Sequence, residues 1–359
     1  MVKFSNYVAV VVGFRRASPR LLTAPTAHRL VLSSLRQVNA ALIALAFSIF
    51  SFAASAAERS ITVLMPAPPQ LPAFAPWVLA QYRGYFAAEE VKVDLVQLGG
   101  GGAEVAKQVG AGNAPFGYAG GDVTLFLRPQ GVPVKTVAVI GGRSLLQVAV
   151  HADDSSIKEP NDLRGKTITA GTFQDAVYYS FLGMMAKVGV NKSDMNIQAL
   201  GSTGVWQSFA NRKADAMIST PDWTALAEGA GAKVRLFMAD QYFPGIAAAV
   251  LASDTTIAQK PELVAKVVRP VTRVMKEIMA DTDTAISQFV LAVPSMAEKK
   301  DFVAKVIRSY AGDVFPGQVH PGEMNPERLK VIRDFYVTEG FITKSIPLDE
   351  LYTNAFVPR

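Results

Sequence analysis

Cysteine is absent from all 359 residues, so the chain can form no disulfide scaffold, thiolate zinc site, iron–sulfur cluster or cysteine nucleophile. Histidine is nearly as scarce. Of three, only His151 and His320 lie beyond residue 57, too few for a histidine metal cluster and poorly suited to a dyad. No Gly-x-Ser-x-Gly elbow occurs, and the acidic residues are scattered rather than grouped as calcium loops. Gly165-Lys166-Thr167 suggests a phosphate-binding loop, but Pro160 stands where that motif needs its first glycine. At 18% charged residues, with 27 Gly and 21 Pro, the chain is too apolar for disorder and too ordinary for a collagen-like or low-complexity protein. Its length suits a large core divided over two lobes.

Acidic residues are also missing from one whole region. Residues 1–57 carry Lys3, Arg15, Arg16, Arg20, Arg29 and Arg36 without a single Asp or Glu. Removing those six from the 36 basic residues leaves 30 against 30 acidic ones, so the net charge of +6 belongs to the leader. A basic leader on a neutral body points to export and away from nucleic acid. The apolar run Ala40–Ala54 follows Arg36 and ends in Ala54-Ser55-Ala56, a small-x-small cleavage signal, so 1–57 reads as a secretory signal peptide. An uncleaved anchor is the alternative, against which the run is short for a span of about 20 residues and lacks a basic stop-transfer cluster. The length of the leader suggests a translation start further on, near Val31 or Leu32. Arg15-Arg16 lies too far from the apolar run to be a good twin-arginine signal.

From Arg59 onward short apolar runs alternate with helical patterns, which predicts an α/β fold. Strands are expected at Ser60–Leu64, Val91–Leu95, Phe116–Ala119, Val134–Ile140, Leu146–His151, Lys166–Ala170, Ile197–Leu200, Ala214–Ser219, Val234–Met238 and Ala247–Ala252. Phe74, Trp77, Val78, Tyr82 and Tyr85 fall on one helical face, with Pro72 suited to a first turn. Val177, Phe181, Met184, Met185 and Val188 form a second apolar face, read as core rather than as a cofactor box. After Ala252 everything looks helical: Val264, Val267, Val268, Val271, Met275 and Ile278 make one stripe, with a kink possible at Pro270. Leu329, Ile332, Phe335 and Tyr336 make another, opened by Asn325 as cap and Pro326 at the first position. The simplest arrangement is a first lobe over 58–145, a second over 146–247, and a return to the first through 248–359, with a hinged cleft between them.

Residues 84–96, GYFAAEEVKVDLV, resemble the GYF-x-x-E-G-L-x-V opening of ABC-transporter solute-binding proteins of the sulfonate, nitrate, taurine and thiamine-precursor group. Gly99–Gly102 and the stretch VGAGNAPFGYAGGD (109–122) are similar to that family's glycine loop and x-G-x-A-D-F-G strand, with Pro115 in place of the usual acidic residue. Residues 131–134 (GVPV), 160–168 (PNDLRGKTI) and 213–217 (KADAM) match further landmarks in order. The resemblance runs from about Ile61 into the helix after Lys260, and its specificity lies in the succession of motifs. It implies the type II periplasmic binding-protein fold, two α/β lobes trapping a ligand for delivery to a membrane permease.

In open α/β sheets ligands sit beyond the carboxyl ends of strands, at loops leading into helix N-termini. Gly99–Gly102, with Gly100 and Gly101, is either a cradle for a polar group or a flexible turn. In Gly171–Asp175, Thr172 stands three residues before Asp175 as in a cap, but the resemblance implies that this second-lobe loop contacts solute through Thr172, Phe173 and Gln174. Gly120 and Asp122 form a third candidate loop, although Asp122 also reads as a helix cap. The fourth holds Asp222, another possible cap, and Trp223, which offers a stacking face. Phe74, Tyr178 and Trp77 are aromatic candidates, of which Tyr178 and Trp77 read equally as core. Arg143 could hold an anionic group or be simply solvated.

The expectation is a monomeric periplasmic protein without a resident cofactor. It would capture a small organic ligand (sulfonate, carboxylate, pyrimidine or aromatic compound) and present it to an ABC permease without reaction. The aromatic residues near the loops favour a ligand with an aromatic or extended apolar body. A ligand-sensing subunit for a receptor is the first alternative. The second is an extracytoplasmic enzyme on this fold; a related thiamine-pyrimidine synthase depends on a cysteine-rich motif that this chain lacks.

Overall fold

The computed structural model describes residues 60–359; the signal-peptide reading of 1–57 lies outside them. Two five-stranded mixed sheets organise the chain, each covered by helices. In order come β1 (Ile61–Met65), α1 (Ala75–Tyr82), α2 (Tyr85–Ala88), β2 (Val93–Gln97), α3 (Gly101–Gly110), β3 (Phe116–Gly120), α4 (Val123–Leu127) and β4 (Val134–Val139). There follow β5 (Gln147–His151), β6 (Thr167–Ala170), α5 (Ala176–Lys187), β7 (Asn196–Ala199), α6 (Gly201–Ala210), β8 (Ala216–Ser219), α7 (Pro221–Gly229) and β9 (Val234–Met238). Last are β10 (Ala248–Ser253), α8 (Asp254–Gln259), α9 (Pro261–Ala280), α10 (Thr282–Ala292), α11 (Lys300–Ser309), a π turn at Tyr310–Val314, α12 (Pro326–Thr338) and α13 (Leu348–Leu351).

The first sheet has the order β2-β1-β3-β10-β4 and the second β7-β6-β8-β5-β9. Strands joined by helical crossovers pair in parallel, β1 with β2 and β3, and β6 with β7 and β8. β10 instead runs antiparallel between β3 and β4, and β5 antiparallel between β8 and β9. All ten expected strands form within two residues of their predicted bounds; the central ones are short apolar runs that a covered sheet buries on both faces, while the edge strands β2 and β7 are partly exposed.

Packing of α9 and α1 closes the core beside the first sheet. Val264, Val267, Val268, Val271, Met275 and Ile278 are fully buried on one side of α9, which continues through Pro270 without ending. Phe181, Met184 and Met185 of α5 are likewise core, and Asn325 caps α12 by accepting from the Arg328 amide at 3.0 Å. The expected face from Phe74 to Tyr85 breaks. Gly84 adopts a left-handed φ of 70° after α1, so Trp77 is fully buried while Tyr82 is exposed and Tyr85 begins a separate turn. Trp77 stacks on Phe86 at 6.2 Å and meets Tyr118 edge-on at 5.8 Å, which assigns it to the core. His151 is structural too: its ring lies 4.2 Å from that of Phe209, and Nε2 is 3.2 Å from the Ala214 carbonyl.

Candidate functional site

Four helices of nine or more residues, α3, α5, α6 and α7, each follow a strand's carboxyl end and begin at one cavity. Its volume is about 780 Å³, and its wall draws on both sheets and their helices. The helix starts aim unpaired N–H groups and the positive ends of their dipoles inward. Gly100 and Gly101, with φ of 91° and 76°, turn the chain into α3 in a conformation open to glycine.

Eight of the twelve expected site residues line this cavity: Phe74, Gly100, Gly101, Gly120, Thr172, Gln174, Asp222 and Trp223. The loop before α5 is held by its own side chains. Asp175 Oδ2 accepts from the Thr172 amide at 3.0 Å, and Thr172 Oγ1 accepts from the Gln174 amide at 3.1 Å. These bonds close a turn ahead of α5, whose N-cap is Asp175 with no side-chain cap bond, so Thr172 does not cap the helix; the loop meets the cavity.

Four residues stand away from the cavity wall. Asp122 is buried beneath α12, where its Oδ2 accepts from the Tyr336 hydroxyl at 3.0 Å and its side chain makes no cap bond. Burial pushes its carboxyl up to about 6, with the Tyr336 bond opposing. Tyr178 is packed in the core beside Tyr179, because the inward stripe of α5 includes it. Phe173 turns outward, 44% exposed, toward Tyr178, with the Lys192 ammonium 5.6 Å from its ring centroid. Arg143 lies on the surface and donates to the Gly312 carbonyl at 3.3 Å, since its segment packs along the π turn and the residue after it.

Several lining residues were missed. Trp206 of α6 and Ser202 and Thr203 at its start obey the strand-to-helix rule that identified the other loops, so their signal was present in Gly201-Ser-Thr-Gly204. Tyr118 comes from inside β3, and Phe302 and Tyr310 come from α11 and the π turn, about 180 residues later. Nothing local in the sequence marks those. Phe126 of α4 stacks on Tyr179 of α5 at 4.3 Å, so one aromatic contact spans both halves at the cavity's edge.

Among the described residues, the lining contains no Lys, Arg or His, and its only charged types are Asp175 and Asp222. Burial raises both carboxyls, opposed by hydrogen bonds from Thr172 and Thr220 respectively. Apart from those two, the walls are aromatic and aliphatic side chains, glycine backbone and neutral hydroxyls and amides. No three acidic or histidine side chains stand together as a metal site, and no helix is long and apolar enough to cross a membrane, both among the described residues.

Residues 71–285 match the family model described as NMT1/THI5 like. The chain is 25% identical over 317 residues to the riboflavin-binding protein RibY of Chloroflexus aurantiacus, covering 84% of this chain and 86% of that protein. It is 26% identical over 243 residues to a 4-amino-5-hydroxymethyl-2-methylpyrimidine phosphate synthase of Aspergillus parasiticus, covering 63% and 68%. Among solved structures, the aliphatic sulphonate binding protein SsuA of Escherichia coli superposes with a TM-score of 0.64 at 16% identity, covering 81% and 91%. With the matched segment running from α1 into α10 and the two-sheet architecture in place, this chain belongs to the NMT1/THI5-like family and has the periplasmic-binding-protein fold.

Proposed function

We propose that the chain is a periplasmic solute-binding protein, exported by a cleaved signal peptide, that closes two lobes around a small organic solute and delivers it to an ABC permease. The observation that carries this reading is the 780 Å³ cavity between the two sheets, walled by Phe74, Trp206, Trp223 and Tyr310 and fed by four helix N-termini. The chain passes from one sheet to the other between β4 and β5 and again between β9 and β10, which supports lobe boundaries near 145/146 and 247/248, where a hinge would lie. A ligand touching both halves binds the closed form better than the open one, so it shifts the balance to closure. The aromatic walls favour a flat organic body over a bare inorganic anion, and a relative named for riboflavin binding supports the same choice. The protein acts as a monomer, without nucleic acid.

The relative named as a pyrimidine phosphate synthase supports a second reading, an enzyme on the same fold. Against it stand the absence of cysteine and of any nucleophile motif in the sequence. A thermal-shift screen of the purified protein against riboflavin, 4-amino-5-hydroxymethyl-2-methylpyrimidine, MOPS and benzoate tests the proposal. At 100 times its Kd a ligand adds about 2.7 kcal/mol to the native state, enough to raise Tm by several degrees. Riboflavin or the pyrimidine should stabilise and be recovered unchanged by mass spectrometry. Stabilisation by inorganic anions alone, or recovery of an altered compound, would overturn it.

A further inference from the structure

The polarity of the cavity narrows what it holds. An anion in a largely dry site is normally met by Arg or Lys as well as by helix N–H groups, and here only the four helix starts would offset the hydration that a carboxylate, phosphate or sulfonate loses. Here no cationic side chain lines the wall among the described residues, while two carboxyls do. One of them, Asp175, has Oδ2 engaged by the Thr172 amide within its own loop.

Asp222 is differently placed. It lies in the first turn of α7, whose N-cap is Thr220. An N-cap threonine ordinarily turns its oxygen to a helix N–H, but the Thr220 side chain makes no such bond. Its hydroxyl donates instead to Asp222 Oδ1 at 2.8 Å. Asp222 Oδ2 accepts from no other residue among those described, and the side chain faces the cavity. Two phenols share that wall, since Tyr118 and Tyr310 both line the cavity. The Asp222 carboxyl is near enough to Tyr310 to add to the burial that holds its phenol neutral. A fixed acceptor beside two neutral phenols is a donor-reading arrangement.

We infer that Asp222, oriented by Thr220, is the specificity-determining group of the cavity. It selects an uncharged aromatic heterocycle whose buried edge carries an N–H donor beside a carbonyl or ring-nitrogen acceptor, and it rejects anions of the same size. The N–H donates to Asp222 Oδ2, and a tyrosine hydroxyl donates to the neighbouring acceptor. This rests on the solute-binding reading and sharpens it. Leaving Asp222 without its donor strands a buried carboxyl, which is why a ligand lacking that hydrogen is disfavoured rather than merely weaker.

The test compares riboflavin, whose ring carries an imide N–H, with N3-methylriboflavin, which lacks it, and with the flat anion anthraquinone-2-sulfonate. Calorimetry on the purified protein reads each affinity. Riboflavin should bind at least ten-fold tighter than either of the others. In Asp222→Asn, Thr220 still engages Oδ1, so the atom facing the ligand becomes an amide donor. That variant should lose at least ten-fold in riboflavin affinity, bring the methylated probe to parity and keep its unliganded Tm. Thr220→Val, which frees the carboxyl, should narrow the same gap with the charge intact. Equal affinity for riboflavin and its methyl derivative, tightest binding of the sulfonate, or equal weakening of all three probes in Asp222→Asn would each overturn this inference while leaving a solute receptor. Failure of all three flat probes to bind at millimolar concentration would overturn the aromatic-solute reading beneath it.

Discussion

Asp122 is a carboxyl with half its bonding unmet. Tyr336 satisfies Oδ2 at 3.0 Å, while Oδ1 is buried without a partner. Desolvation therefore outweighs the tyrosine bond, and the group titrates at about 6 instead of its ordinary 3.8. A raised acid binds its proton more tightly in the folded state, so between about 3.8 and 6 the native chain holds more proton than the unfolded one. Stability from this group is present at low pH and falls as pH rises through that window, by on the order of 3 kcal/mol. Asp122→Asn keeps an acceptor for Tyr336 and cannot ionise. In urea melts the variant should exceed the native protein in stability at pH 8, with the advantage shrinking or vanishing at pH 4.5. A stability difference independent of pH would mean that Asp122 does not change charge in this range.

At the scale of elements, α5 carries an unusual choice in mid-helix. Gly183 is less favourable there than Ala by roughly 0.5–1 kcal/mol, yet a Cβ at that position would come within 2.7–2.8 Å of three Phe243 ring atoms. The ring is itself wedged against Phe335 of α12 at 4.9 Å, so it has no free direction in which to yield. Overpacking of this kind costs about 1–3 kcal/mol, more than the helix gains. Gly183→Ala should lower Tm by a few degrees in a thermal melt, and a raised Tm would show that helix propensity governs the site instead. The same helix marks the limit of sequence legibility. Its apolar stripe and the ten strands were readable because burial imposes a period on neighbouring residues. Gly183 was not, because its partner lies 60 positions away on the passage between β9 and β10. Nor was Tyr310, aimed at the cavity by a π turn. Asp122, beside the candidate loop at Gly120, was placed at the cavity by sequence proximity alone, whereas α12, more than 200 residues later, claims it for the core.

For the whole molecule, one close approach of the two halves lies at the cavity's rim. A Cβ on Gly120, at the end of β3, would stand 2.6 Å from Cβ of Ala176, the first residue of α5. Beside it, Asp175 Oδ1 lies 3.7 Å from where a Cβ of Gly101 would be, setting a carboxylate at the start of α3 where the helix dipole favours negative charge. The Ala176 methyl is fixed to backbone, so the clash with it cannot be absorbed by a rotamer and the halves must separate. If ligand capture requires this approach, Gly120→Ala should bind riboflavin at least ten-fold more weakly. Small-angle scattering in its presence should give a larger radius of gyration than for the native protein. Ala176→Gly removes the opposing methyl, so the double variant should recover both affinity and compactness, a coupling that neither substitution predicts alone. A methyl that merely fills the cavity would weaken binding without changing the radius, and Ala176→Gly would not restore it. That pattern would place ligand capture in a rigid pocket rather than in closure of the two halves.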